Sequence, residues 1–200
     1  WQDHWYRKTF MTDKNVISNR TLKMVTNEKE LEDAIGSNIT IILNTEKLEI
    51  SNHPINRLHS LSNLAIISNF EHTLLTSKDA PTDIMSITNC KNILLSGLDL
   101  YREEVLDRNG SSLSLVDCED IELVGCELSG YTRDGLNCES TNKLVLTDCE
   151  IHHAQRLAIN IIKSNNLIFN SSNAYFTEKH ILVSESKHID FNLCKFYMGA

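Results

Sequence analysis

Short apolar runs alternate with polar turns along most of this chain, and from residue 60 onward the alternation repeats. The segments SNLAII, KNILLS, EDIELV, NKLVLT, NNLIFN and KHIDFN each place an apolar residue third and another fifth. The third positions, Leu64, Ile93, Ile121, Leu144, Leu167 and Ile189, lie 29, 28, 23, 23 and 22 residues apart. The fifth positions are Ile66, Leu95, Leu123, Leu146, Phe169 and Phe191. A period of two is one face of a strand, and self-similarity at a fixed longer period is the mark of a solenoid.

Further columns share the register. Seven residues past the third position stand Leu128, Ile151, Ala174 and Phe196, and five past it stand Cys126, Cys149, Ser172 and Cys194. Three residues before it stand Cys90, Cys118, Thr141, Ser164 and Ser186. Upstream lies another strand, with the pairs Met85/Ile87, Leu113/Leu115, Leu136/Cys138, Ile159/Ile161 and Ile181/Val183 facing inward. Three short strands per repeat of about 22–23 residues predict a parallel β-helix; the L-x-x-L-x-L-x-x-N pattern of a leucine-rich repeat is absent. Cysteine exchanges with serine and threonine in the same columns, so its expected role is a small buried ladder residue rather than a reactive thiol. Cys126 and Cys149 fall one coil apart, but parallel side-chain vectors suit a disulfide poorly.

Before the repeats, residues 27–36 predict a short helix. Asn27 caps it, Glu30 completes a capping box, Leu31, Ala34 and Ile35 form one stripe, and Gly36 is the expected left-handed terminator. NITIIL (38–43) reads as a buried strand and KLEI (47–50) as a second. Residues 1–24 show no period, carry Trp1, Trp5, Tyr6 and Phe10, and read as an arm laid over the end of the core. The domain proper is expected over 25–200.

Composition narrows the partners. There are 19 basic and 27 acidic residues, a net charge of −8, which disfavours a duplex nucleic-acid binder. An anionic polysaccharide fits only where the few cations cluster. No apolar run has the length to span a membrane, and residues 1–20 lack the apolar centre of a signal peptide. The six cysteines form no CxxC pair and no zinc spacing, so no metal is expected.

The repeat resembles the right-handed β-helix superfamily of pectate lyases, polygalacturonases and mannuronan epimerases over about residues 25–199. VTNEKELEDAIGSNITIIL resembles the amphipathic cap that closes the first coil of pectate-lyase-like proteins. The resemblance implies an all-β, single-domain right-handed parallel β-helix, an extracytoplasmic or secreted setting, and a substrate groove along one strand column and the turn before it. The matching turns are YREEVLDRNGSS (101–112), SGYTRDG (129–135), HHAQRLA (152–158) and YFTEKH (175–180). They place Tyr131, Arg133, His152 and Arg156 as the candidate catalytic set. Asp134, Asn137, His153, Asn160, Tyr175 and Lys179 are the candidate substrate-binding set. Arginine can pair with uronate carboxylates and aromatic rings can stack on sugars.

Individual mechanisms fit unevenly. TRDGLN (132–137) resembles the Asn-Thr-Asp-Gly motif of polygalacturonases at Asp134 and Gly135, but Thr132 and Arg133 depart from it and no second carboxylate pair follows. A calcium-dependent lyase needs several carboxylates, and Asp134 with a distant Glu178 makes a thin calcium site. A metal-free lyase or epimerase would use Tyr131 with His152 or His153 as acid and base, though the epimerase motif Tyr-Gly-Phe-Asp-Pro-His is absent. If the protein is an enzyme, a lyase or epimerase is favoured over a glycoside hydrolase. Two readings stay open. One is a carbohydrate-associated β-helix that binds or modifies an anionic polysaccharide. The other is a non-catalytic structural or adhesive module of a larger cell-surface or phage-derived protein. The last coil leaves strand edges at 189–196, from which self-association or a missing continuation is expected.

Overall fold

The computed structural model describes residues 20–50, 56–77, 83–102 and 109–197. Residues 1–19 of the arm, and the turn residues Asp107 and Arg108, lie outside that set. The chain winds through three sheets in which every pairing is parallel. The eight-stranded sheet runs from Thr21–Val25 through Ile39–Leu43, Ser62–Ser68, Lys91–Ser96, Glu119–Val124, Asn142–Thr147 and Asn165–Asn170 to Lys187–Asn192. The six-stranded sheet runs from Arg57–His59 to Lys179–Ser184, and the seven-stranded sheet from Lys47–Glu49 to Lys195–Tyr197. Each coil visits the six-, eight- and seven-stranded sheets in turn, which is the parallel β-helix that the repeat predicts.

The register matches the sequence columns residue for residue. Leu64, Ile93, Ile121, Leu144, Leu167 and Ile189 pair in one line. Met85, Leu113, Leu136, Ile159 and Ile181 pair in another. These columns form one continuous core. Each fully buried Leu or Ile contributes roughly 1.5–3 kcal/mol of transfer free energy, and no coil buries its own set without a neighbour.

The thiol and hydroxyl columns have a further reason to exist. At each corner a thiol or hydroxyl reaches the carbonyl of a strand residue in the preceding coil. Cys118 Sγ donates to Ile87 O at 3.2 Å and Cys149 Sγ to Leu123 O at 3.6 Å. Thr141 Oγ1 donates to Leu115 O at 3.3 Å, and Ser164 Oγ accepts from Thr141 N at 3.0 Å. Cys, Ser and Thr are all small and all carry one group able to make these bonds, which explains why they interchange there. Another corner takes a left-handed residue in every coil: Asn38, Asn63, Asn92, Asp120, Lys143, Asn166 and His188 all have φ between 54° and 59°. Asparagine tolerates that region best, and its amides form a ladder, Asn92 to Asn63 at 2.6 Å and Asn63 to Asn38 at 2.8 Å.

At the start, helix Glu28–Ala34 packs Leu31 and Ala34 onto the core. Asn27 accepts from Glu30 N at 3.0 Å, as a cap should. Two details correct the sequence reading. The return bond from Glu30 goes to Thr26 N at 2.7 Å and Thr26 Oγ1 at 2.9 Å rather than to Asn27 N. Gly36 is not the left-handed terminator: Ile35 ends the helix in an extended conformation, φ −59° and ψ 129°, and the left-handed residue is Asn38, just before strand Ile39–Leu43. Thr21–Val25, read in sequence with the arm, forms the first strand of the eight-stranded sheet, Thr21 opposite Ile39. Among the described residues no helix is long and apolar enough to cross a membrane.

Candidate functional site

The turns between the seven- and six-stranded sheets stack as the repeat predicts. Arg156 N donates to Arg133 O at 2.8 Å, and Lys179 N donates to Arg156 O at 2.9 Å. The turn at 129–133 is held from inside: Ser112 Oγ and Thr132 Oγ1 lie 3.0 Å apart, and Thr132 Oγ1 donates to Asp134 O at 3.0 Å. Gly130, with φ 96°, passes so close to the Arg102 backbone that a Cβ would overlap it.

On this scaffold the candidate residues separate into three groups. The first is an ionic corner. Asp134 is fully buried, and Arg156 grips it with two bonds, Nε to Oδ1 at 2.9 Å and Nη2 to Oδ2 at 2.6 Å. Arg133 adds Nε to Oδ2 at 3.2 Å. The two arginine side chains remain 49% and 41% exposed, so their outer N–H groups face the turn surface. The hydrogen bond from Asp134 raises the pKa of Arg156 further. One carboxylate between two guanidiniums leaves a net positive charge at the corner. Lys179 follows at the next coil, exposed at the start of its strand. Tyr131 is also exposed on its turn.

The second group lies on the outer face of the seven-stranded sheet. His152 Nε2 meets Glu127 Oε1 at 2.8 Å, which holds the Glu127 carboxyl below its usual range. The His152 ring stacks on Tyr175 at 4.7 Å, and Tyr175 stacks on Tyr197 at 5.1 Å. Tyr175 OH donates to Glu150 Oε2 at 2.7 Å. Burial, with that bond second, pushes its pKa up. The Tyr175 ring is therefore stacked between rings of adjacent coils, and Phe176 meets it in a T-shaped contact at 5.3 Å. His153 stacks on Phe176 at 4.9 Å, and burial together with the charge of His152 lowers its pKa. The described partners of His152 are thus Glu127, His153 and Tyr175.

The third group is an amide ladder on the outer face of the six-stranded sheet. Asn160 Nδ2 donates to Asn137 Oδ1 at 2.8 Å, and Asn137 Nδ2 donates to Ser114 Oγ at 3.3 Å.

One member of the ionic corner escaped the sequence reading. Asp83 stands in the column of Ser111 and Asp134, two residues before the inward pair Met85/Ile87. It accepts from Ser111 N at 2.6 Å, and burial raises its pKa against the charges of Arg102 and Arg133. Its position two residues before that pair matches that of Asp134 before Leu136/Cys138, so the column alignment alone contained the signal. Cys138 is fully buried, and burial drives its thiol pKa up, in keeping with an inward ladder role. Among the described residues no three metal-binding side chains converge.

Coil-on-coil parallel sheets with a polar corner along one edge place this protein among the parallel β-helices. No family model matches the chain, and no curated protein matches its sequence. Among solved structures it is similar to ORF18 of Geobacillus virus E2, with a TM-score of 0.66 and 9% identity, over 86% of this chain and 38% of that one. The chain thus spans well under half of the viral protein. A candidate glycosyl hydrolase from Parabacteroides merdae ATCC 43184 aligns at a TM-score of 0.38 and 8% identity, over 88% of this chain and 80% of that one. Likeness at such identities concerns the fold alone.

Proposed function

We propose that this β-helix binds an anionic polysaccharide along the turns that carry Arg133, Arg156 and Lys179. One observation carries the reading: two guanidiniums in adjacent coils are held on a buried carboxylate at 2.6–3.2 Å, with their outer N–H groups left toward solvent. Held this way, the arginines lose little further freedom on meeting a carboxylate or sulfate, and planar N–H pairs suit both anions. Binding is favoured over catalysis because the acid–base candidates are already engaged, Asp134 by the arginines and His152 by Glu127. The test is affinity electrophoresis through pectin, alginate and glycosaminoglycan gels. The wild type should be retarded in at least one, and the Arg133→Ala/Arg156→Ala variant should migrate freely. Equal migration of both proteins in all three gels rejects the reading.

A second reading, a structural module of a larger assembly, is favoured by the last coil. There Val183 is 43% exposed, and the core-facing Ile181, Ile189, Phe191 and Phe196 are only partly buried. Unpaired strand edges over such a surface favour end-to-end association. Sedimentation at rising concentration should show it, and a constant monomer would count against it.

A further inference from the structure

The outer face of the eight-stranded sheet is apolar where a solvated face should be polar. Ala65, Leu94 and Val124 point away from the core and form a second cluster with Ile67. Their exposures are 0%, 4% and 8%. Thr40, in the same outward column, is 2% exposed. Across the next coils the cover thins: Val145 and Ile168 are half-buried and Asp190 is exposed. A groove of about 630 Å³ lies over this face, lined by Leu94, Glu122, Val145 and Ile168 and flanked by the asparagine ladder. Among the described residues, no other helix or strand lies across it.

Arg20 shows where the chain reaches this face. It heads the left-handed column, just before Thr21, which pairs with Ile39. Its guanidinium lies along that column and donates to Asn92 Oδ1, three strands away, at 3.4 Å. Burial lowers its pKa. Everything N-terminal to Arg20 is therefore attached beside the asparagine ladder that flanks this face, next to an edge strand whose outward Leu22 and Met24 are 61% and 63% exposed.

We propose that residues 1–19 of this chain dock along the outer face of the eight-stranded sheet, over Leu94, Val124, Val145 and Ile168. The segment has the reach: nineteen extended residues span on the order of 65 Å, whereas eight strands are about 34 Å across. It also has the chemistry. Its apolar residues come in pairs, Trp5/Tyr6, Phe10/Met11 and Val16/Ile17. Arg7, Lys8 and Lys14 bring positive charge toward a groove whose lining carries the carboxylates Asp120 and Glu122. Burial raises the pKa of Glu122, as expected for a carboxyl among apolar neighbours. This is a different placement from an arm over the end of the core, and it is independent of the polysaccharide reading.

The sequence supplies its own probe, because both tryptophans, Trp1 and Trp5, lie in this segment. Tryptophan emission of the full chain therefore reports on residues 1–19 alone. In the native protein, emission should be blue-shifted and iodide quenching weaker than in the urea-unfolded chain. Leu94→Asp/Val145→Asp, two outward substitutions that spare the core, should shift emission to the red and raise quenching to the unfolded value with far-ultraviolet dichroism unchanged. Val145→Ser/Ile168→Ser should do the same in part, should the aspartate variant misfold. Fully quenched tryptophans in the native protein overturn the proposal. So does protection that survives both variants, which would place the segment elsewhere. Protection that appears only as protein concentration rises would assign the face to a second copy, which also overturns it.

Discussion

The ionic corner separates stability from binding in a way that three substitutions can resolve. Arg156→Leu removes two charge-assisted bonds, at 2.9 and 2.6 Å, from a carboxylate with no exposed surface. Each such bond contributes about 1.5–3 kcal/mol when shielded. Because the guanidinium is 41% exposed, the sum is halved for screening, giving a loss of about 1.5–3 kcal/mol. For a chain of this size that lowers Tm by about 3–12 °C. Asp134→Leu should behave differently. Leu157 occupies the same column one coil later, so the site accepts a leucine, and both arginines can turn into water. Replacing a buried charge by a matched apolar group is often neutral, so its Tm should change by less than about 3 °C. Yet Asp134→Leu releases the arginines, and polyanion retention should fall as it does in Arg133→Ala/Arg156→Ala. Urea unfolding followed by dichroism, beside affinity electrophoresis, measures both effects. If Asp134→Leu proves less stable than Arg156→Leu, the buried carboxylate is not the liability argued here and the reasoning fails.

Two other outcomes follow from the titrating groups and the thiols. The folded pKa of Glu127 is depressed by His152, so its stabilising contribution is present above the unfolded carboxylate value, about 4.3, and is lost as pH falls through the lower folded value. Acid unfolding of His152→Gln should therefore show a weaker pH dependence in that window, and an unchanged acid limb would refute the pairing. Glu122 has the opposite sign: its raised folded pKa makes the ionised form costly, so Glu122→Gln should stabilise the protein at pH 7 and have no effect below about pH 4. Five of the six free cysteines are buried and Cys194 is half-buried. Native alkylation read by mass spectrometry should modify Cys194 first, and early modification of Cys138 would contradict its place in the core.

Much of this fold was legible before any coordinates. The register of Leu64 through Ile189, the three strands per coil and the cysteine columns all follow from periodicity, because a stacked coil repeats its inward positions by necessity. The helix at 27–36 was visible through its cap. Its end differs at Gly36, since the left-handed position falls instead at Asn38, set by the corner column that recurs in every coil and not by local propensity. The strand at Thr21–Val25 was hidden because an edge strand with four exposed residues lacks an inward pattern.

The site was legible only as a set of turns. Sequence spacing placed Arg133, Arg156, His152 and Tyr175 on one edge of the solenoid, because one turn per coil must stack on the next. It could not sort them. Tertiary structure joins Arg133 and Arg156 through the buried Asp134, and draws His152 and Tyr175 into a separate stack on the neighbouring sheet. Periodicity, then, determines which residues share a column. Side-chain direction at a bend, where strict alternation breaks down, decides which of them touch.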